Sequence, residues 1–236
     1  SQIYTTNQPT LNIASALYGS GAINKTGNGL LMLSGQSAFN GLNVNSTGII
    51  VNASSTYSGG AVMTGPLGVG PVAMASGTRM LTNGSFSVGN DISFAGTPTF
   101  DATSPNAWTL TLTGNLTGAG LTGGTPTIEV TNPGTTVALL GNLPAASSYT
   151  KTGLGTLVFN ATNYSGNFNA TDLGNPNAIQ LIHDGDRTGS VQTISMGSVT
   201  FDSGIVPNIT VNRGGSLPFG TAANKILAPS SITNTG

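Results

Sequence analysis

The chain has no cysteine, one histidine and one tryptophan, and among 236 residues only six basic and seven acidic side chains. Without cysteine there are no disulfides, thiolate metal sites or cysteine nucleophiles. A formal net charge of −1 leaves no basic field to draw in nucleic acid or an anionic lipid surface. No apolar run approaches the roughly 18 residues of a membrane-spanning helix. Amphipathic helices are not indicated either, because they set a charged face against an apolar stripe and charge is missing almost everywhere. The opening SQIYTTNQPT has neither the basic nor the apolar stretch of a signal peptide and no initiator methionine. The chain is therefore expected to be a mature or excised segment of a longer precursor.

Apolar residues make up 37% of the chain, enough to build a core, and solubility falls to Thr, Ser, Asn and Gly. The 35 glycines follow no three-residue period, which excludes a collagen-like triple helix. Short β-branched or apolar runs bounded by Gly, Asn, Pro and Ser read as strands. They fall at Leu30–Leu33, Gly48–Ala53, Ser85–Phe94, Ala107–Thr113, Thr135–Leu140, Thr156–Asn160, Ala178–Ile182, Val191–Phe201 and Ile205–Val211. Alternation is clearest from Trp108 to Thr113, where Trp108, Leu110 and Leu112 share one face and Thr109, Thr111 and Thr113 the other. Many short strands separated by turn dipeptides leave two all-β architectures, an antiparallel sandwich or a stack of coils.

An internal repeat favours the stack. KTGNGLLML at residues 25–33 returns as KTGLGTLVF at residues 151–159. Lys25, Gly27, Gly29, Leu31 and Leu33 fall on Lys151, Gly153, Gly155, Leu157 and Phe159. With one gap, Phe39 and Gly41 fall on Tyr164 and Gly166. Thr56-Tyr-Ser-Gly-Gly60 is a partial third instance of the aromatic ending. Paired glycines permit a tight corner, the Leu-x-Leu alternation sends one row inward, and the aromatic closes a layer before the next turn. Such a unit buries its apolar face only by stacking on neighbours. Both lysines are expected at the surface, marking the outside of each corner with their charge in water.

The segment GSGAINKTGNGLLMLSG, with the second phrase, resembles the autotransporter-associated β-strand repeat of bacterial surface proteins. In the second phrase Asn160-Ala161 replaces Ser34-Gly35 and the preceding Gly-x-Gly is missing. The resemblance implies a right-handed parallel β-helix exported to the outer surface of a diderm bacterium. One elongated unit is expected over residues 1–236, and the uncharged residues 1–12 are a candidate N-terminal extension toward a neighbour. At roughly 20 residues per coil this makes about 12 coils.

Little in the sequence points to chemistry. Asp184 and Asp186, in His183-Asp-Gly-Asp-Arg187, are the candidates for a cation. The stretch lacks the later oxygen ligands of a calcium loop and reads as a polar loop neutralised by Arg187. No catalytic, cofactor or established metal site is indicated. A Ser–His–Asp arrangement would have to form around His183, and no Gly-x-Ser-x-Gly elbow occurs. Trp108 is expected in the core, and one threonine row is too little for an ice-binding array. Nine Asn-x-Ser/Thr sites occur, at Asn24, Asn45, Asn52, Asn83, Asn115, Asn160, Asn163, Asn169 and Asn208. Asparagine could equally stack as ladders between coils. The expected function is a non-enzymatic extracellular rod, structural or adhesive, with a self-assembling filament subunit as the alternative. Its expected partners are itself or host and surface glycans or proteins, with no nucleic acid and no membrane insertion. A carbohydrate-active enzyme ranks below both.

Overall fold

The computed structural model describes residues 2–4, 10–123, 126–144 and 148–160. It also describes the strands Asn167–Ala170, Ile179–His183, Gln192–Phe201, Thr210–Arg213 and Lys225–Asn234. Among these residues the fold is all-β, its one helical element being the single 3-10 turn Ala119–Leu121.

Three larger sheets account for most strands. The first joins Gln2–Tyr4, Ile23–Thr26, Leu42–Val44, Val72–Met74, Ile92–Phe94 and Leu116–Thr117. The second has ten strands, from Thr10–Ile13 through Leu30–Leu33, Gly48–Val51, Arg79–Thr82, Thr99–Ala102, Thr127–Val130 and Ser148–Thr152 to Lys225–Asn234. The third runs from Phe86–Val88 through Trp108–Leu112, Thr135–Leu139 and Thr156–Asn160 to Thr210–Arg213. From Val72 to Leu139 the chain visits first, second and third sheet in rotation. It enters each sheet every time in the same direction, so all pairings within the three are parallel. An antiparallel sandwich would need the opposite pairing.

Register shows what each circuit repeats. Ile23, Leu42, Val72, Ile92 and Leu116 stand side by side on the first sheet, 19, 30, 20 and 24 positions apart. Leu31, Ile49, Met80, Phe100 and Val130 form the matching row of the second sheet. Leu110, Val137 and Leu157 do so on the third. All belong to one buried cluster. Each such side chain taken out of water is worth about 1.5–3 kcal/mol. Phe94 and Phe100, on the first and second sheets, meet edge to face with ring centres 5.7 Å apart, and the third sheet's Leu110, Val137 and Leu157 belong to the same core.

The 30-residue interval contains an antiparallel hairpin, Thr56–Ser58 with Ala61–Thr64. Its turn is Gly59-Gly60, with φ of 58° and 85°, the backbone that a two-residue hairpin turn demands. The partial third repeat at residues 56–60 therefore makes a hairpin rather than a corner, and Tyr57 is exposed. Two further expectations need correction. The run Ser85–Phe94 is broken at a corner into Phe86–Val88 and Ile92–Phe94, on different sheets. Trp108 has the parity of Leu110 and Leu112, yet at the head of its strand it is only half-buried and outside the core cluster.

Candidate functional site

The repeated phrase is where the sequence concentrates its few cations, and each copy builds the same local structure. Lys25 ends the short alternation Ile23-x-Lys25 on the first sheet, in register between Ile3 and Val44. Lys151 sits on the second sheet beside Ile128. Both occupy core-facing rows and both are fully buried, which overturns the expectation of surface lysines. The physical reason is the shape of the side chain. A four-carbon stem fills an inward position as an aliphatic residue would, and its end still reaches the polar main chain at the corner.

Those corners supply the acceptors that a buried amine needs. Lys25 Nζ donates to the carbonyl oxygens of Gly27 at 2.7 Å and Ser46 at 2.8 Å. Ser46 Oγ donates to the same Gly27 oxygen at 2.5 Å. Gly27 and Ser46 belong to successive circuits, so one ammonium ties two corners together. Lys151 Nζ donates to the carbonyls of Thr152, at 3.2 Å, and Gly153. Gly27 and Gly153 have nearly the same left-handed backbone, φ 80° and 79°, which turns the carbonyl back toward the lysine two residues before it. A Cβ on Gly153 would also lie 2.3 Å from Val130 O. Burial lowers the pKa of Lys25. It lowers that of Lys151 further, to about 7, against the opposing pull of the Glu129 carboxylate.

The two phrases do not occupy the same corner. The first runs from first sheet to second, with Leu31 and Leu33 buried on the second. The second runs from second sheet to third, with Leu157 buried on the third. The unit is thus strand, lysine-capped corner, strand, and it is used at either of two corners. Phe39 is buried and packs its ring under Gly68, as expected of an aromatic that closes a layer. Gly29 is buried, while Gly41 takes φ 136° two residues after Phe39. For Phe159 only the backbone is described; Tyr164, Gly166, Asp184 and Asp186 lie outside the described residues, as does the side chain of His183.

Asparagine forms ladders. Between circuits after the second sheet, Ser34 Oγ donates to Asn12 Oδ1 at 3.4 Å and Asn52 Nδ2 to Ser34 Oγ at 2.9 Å. Asn83 Nδ2 continues to Asn52 Oδ1 at 3.1 Å, and Thr103 Oγ1 donates to Asn83 Oδ1. At another corner the Asp91 carboxylate accepts from Asn115 N, and Asn115 Oδ1 accepts from the backbone and side chain of Asn142. Four of the Asn-x-Ser/Thr asparagines, Asn24, Asn52, Asn83 and Asn115, are engaged in such rungs. From Trp108–Leu112, Thr109 continues in register to Thr136 and Thr156, a row of three threonines, whereas Thr111 stands between Ser87 and Ala138.

Chemistry-bearing groups are sparse among the described residues. Arg79 and Asp101 pair across neighbouring strands at 3.6 Å, and no three His, Asp or Glu side chains of the described residues converge as metal ligands. A cavity of about 330 Å³ lies between the hairpin and two corners, lined by Gly60, Val62, Pro71, Gly89, Asn90 and Asp91. No helix of the described residues is long and apolar enough to cross a membrane. Comparisons with protein-family models, curated proteins and solved structures find no match to this chain.

Proposed function

We propose that the chain is a right-handed parallel β-helix of the autotransporter-passenger type, acting as a non-enzymatic extracellular rod. One observation carries this reading: the chain rotates through three parallel sheets, and each KTGxG phrase forms a lysine-capped corner between two of them. Ten strands at about 4.8 Å spacing make a rod roughly 45 Å long. Backbone ladders and the asparagine rungs give it stiffness along the stack, and its flanks offer uncharged Asn, Ser and Thr to a surface glycan or protein. Its place is the bacterial cell surface, where it serves as spacer or adhesin.

Small-angle scattering and electron microscopy of the purified chain test the architecture; an elongated particle of that length is expected, and a compact sphere would sink it. Binding to immobilised glycans or host cells, lost on substitution of one flank, supports adhesion. Polysaccharide cleavage that disappears in His183→Ala would overturn the non-enzymatic assignment. A second reading, the filament subunit, draws on Leu11. This residue continues the inward row of Leu31 and yet is 36% exposed. An exposed core row beside open strand edges is a surface on which another copy can add, and scattering over a concentration series would show lengthening particles.

A further inference from the structure

Three asparagines precede glycine, at Asn28, Asn40 and Asn83, and all three are exposed. Glycine offers the least steric resistance to an asparagine side chain folding back on the next peptide nitrogen. Their surroundings differ. Asn83 is a ladder rung, its Nδ2 held by Asn52 and its Oδ1 by Thr103. Asn40 is confined, its Oδ1 so near Gly70 that a Cβ there would lie 2.8 Å away. The Asn28 side chain makes no hydrogen bond among the described residues, and only its carbonyl is engaged, by Thr47 Oγ1 at 2.9 Å. Gly29 itself is buried and engaged, so ring closure passes through opening of the corner. That opening is resisted by the bonds of Lys25 to the Gly27 and Ser46 carbonyls.

We infer that Asn28 is a succinimide-forming modification site, gated by the Lys25 corner. A bond forms between Gly29 N and Asn28 Cγ while the Cγ–Nδ2 bond breaks. The amide nitrogen leaves as ammonia, taking the proton lost from Gly29. Solvent water then opens the imide at either carbonyl, giving aspartate or isoaspartate. The product places a carboxylate one residue from Gly27, whose carbonyl holds the buried lysine, and adds a negative charge to a chain of formal net charge −1. Isoaspartate also lengthens the corner by one main-chain methylene. The second phrase carries Leu154 at the corresponding position and cannot react this way.

The test is timed incubation of the folded chain at mildly alkaline pH, with peptide mapping by mass spectrometry and enzymatic isoaspartate labelling. Conversion at Asn28 is expected about tenfold faster than at Asn83, which must first give up two hydrogen bonds. Lys25→Met should accelerate Asn28 severalfold and leave Asn83 unchanged. Should that variant fail to fold, Ser46→Ala, which removes only the hydroxyl of the clamp, should act in the same direction. In denaturant the difference between Asn28 and Asn83 should shrink. Conversion at Asn83 equal to or faster than at Asn28 in the folded chain overturns the site, and an Asn28 rate untouched by either variant overturns the gate.

Discussion

Lys25 Nζ lies 2.8 Å from the carbonyl oxygen of Ser46, twenty-one residues further along the chain and one circuit on. A buried cation thus stands where the repeat would otherwise present an apolar residue, and its partners are main-chain oxygens of two successive corners. Lys25→Met keeps the volume of the stem but leaves the Ser46 carbonyl without its donor. The expected loss is about 1–3 kcal/mol, the cost of a buried unsatisfied acceptor, read as a lower denaturation midpoint in urea. Unchanged stability would mean that the ammonium contributes nothing beyond its stem.

Lys151 makes stability depend on pH. Its folded pKa is lowered to about 7 by burial, from an ordinary value of 10.5. Between those values the unfolded chain binds more protons than the folded one, so stability rises with pH across that window. Below about pH 7 both states are protonated and the cost of burying the charge is fully felt. The urea midpoint is expected to increase from pH 7 to pH 10, and Lys151→Met should flatten most of that rise. Lys25, shifted in the same direction, supplies a remainder of the same sign. A midpoint that falls over the same range in the unsubstituted chain contradicts the assignment.

Gly153→Ala tests the corner itself. The substitution asks an L-residue to adopt φ 79° and brings a Cβ against Val130 O at 2.3 Å. Conformation alone costs about 1–2 kcal/mol, and the contact with fixed backbone adds to it. Gly77 has φ 76° and open space around it, so Gly77→Ala should show only the conformational part. Thermal unfolding of the two variants should differ accordingly; equal losses would remove the steric contribution.

Asn52 occupies the middle of a ladder, donating to Ser34 and accepting from Asn83. Asn52→Ala removes both rungs and is expected to cost about 1–2 kcal/mol. Asn52→Asp keeps the acceptor for Asn83 and loses the donor to Ser34, so an intermediate value is expected. Two variants equal to the parent in thermal midpoint would make the ladder a passive surface arrangement.

Of the ten strands of the second sheet only Leu30–Leu33, Gly48–Val51 and Gln192–Phe201 fell within runs read as strands, whereas the third sheet, with strands such as Trp108–Leu112 that alternate apolar and polar residues, was largely legible in the sequence. The first sheet was not. Leu42–Val44 and Val72–Met74 offer only two inward side chains each, too few to set a period apart from chance, and Ile92–Phe94 was read only as the end of the longer run Ser85–Phe94. Ile23–Thr26 was hidden for a different reason, since its second inward residue is lysine and a cation reads as solvent-facing. That the phrase forms corners could be read from its glycines. That its lysine is inside could not, because the acceptors are main-chain carbonyls, one of them from a residue far along the chain. The signal available was the recurrence of lysine itself, two of six basic residues before Thr-Gly-x-Gly.

The hairpin Thr56–Ser58 and Ala61–Thr64 has a mechanical consequence. It stands where the circuit would place a strand between the pair Tyr18–Gly19 and Ala38–Phe39 and the first strand of the third sheet, Phe86–Val88. At that level the third side is stitched by isolated bonds, Val69 N to Phe39 O at 2.9 Å and Ser55 N to Ser87 O at 2.8 Å, in place of a ladder. Tension along the stack is therefore borne there by two sheets. Pulled from its ends in an optical trap, the chain should yield first between Phe39 and Phe86, giving a short extension before the rest unravels; the hairpin thus sets where the rod breaks.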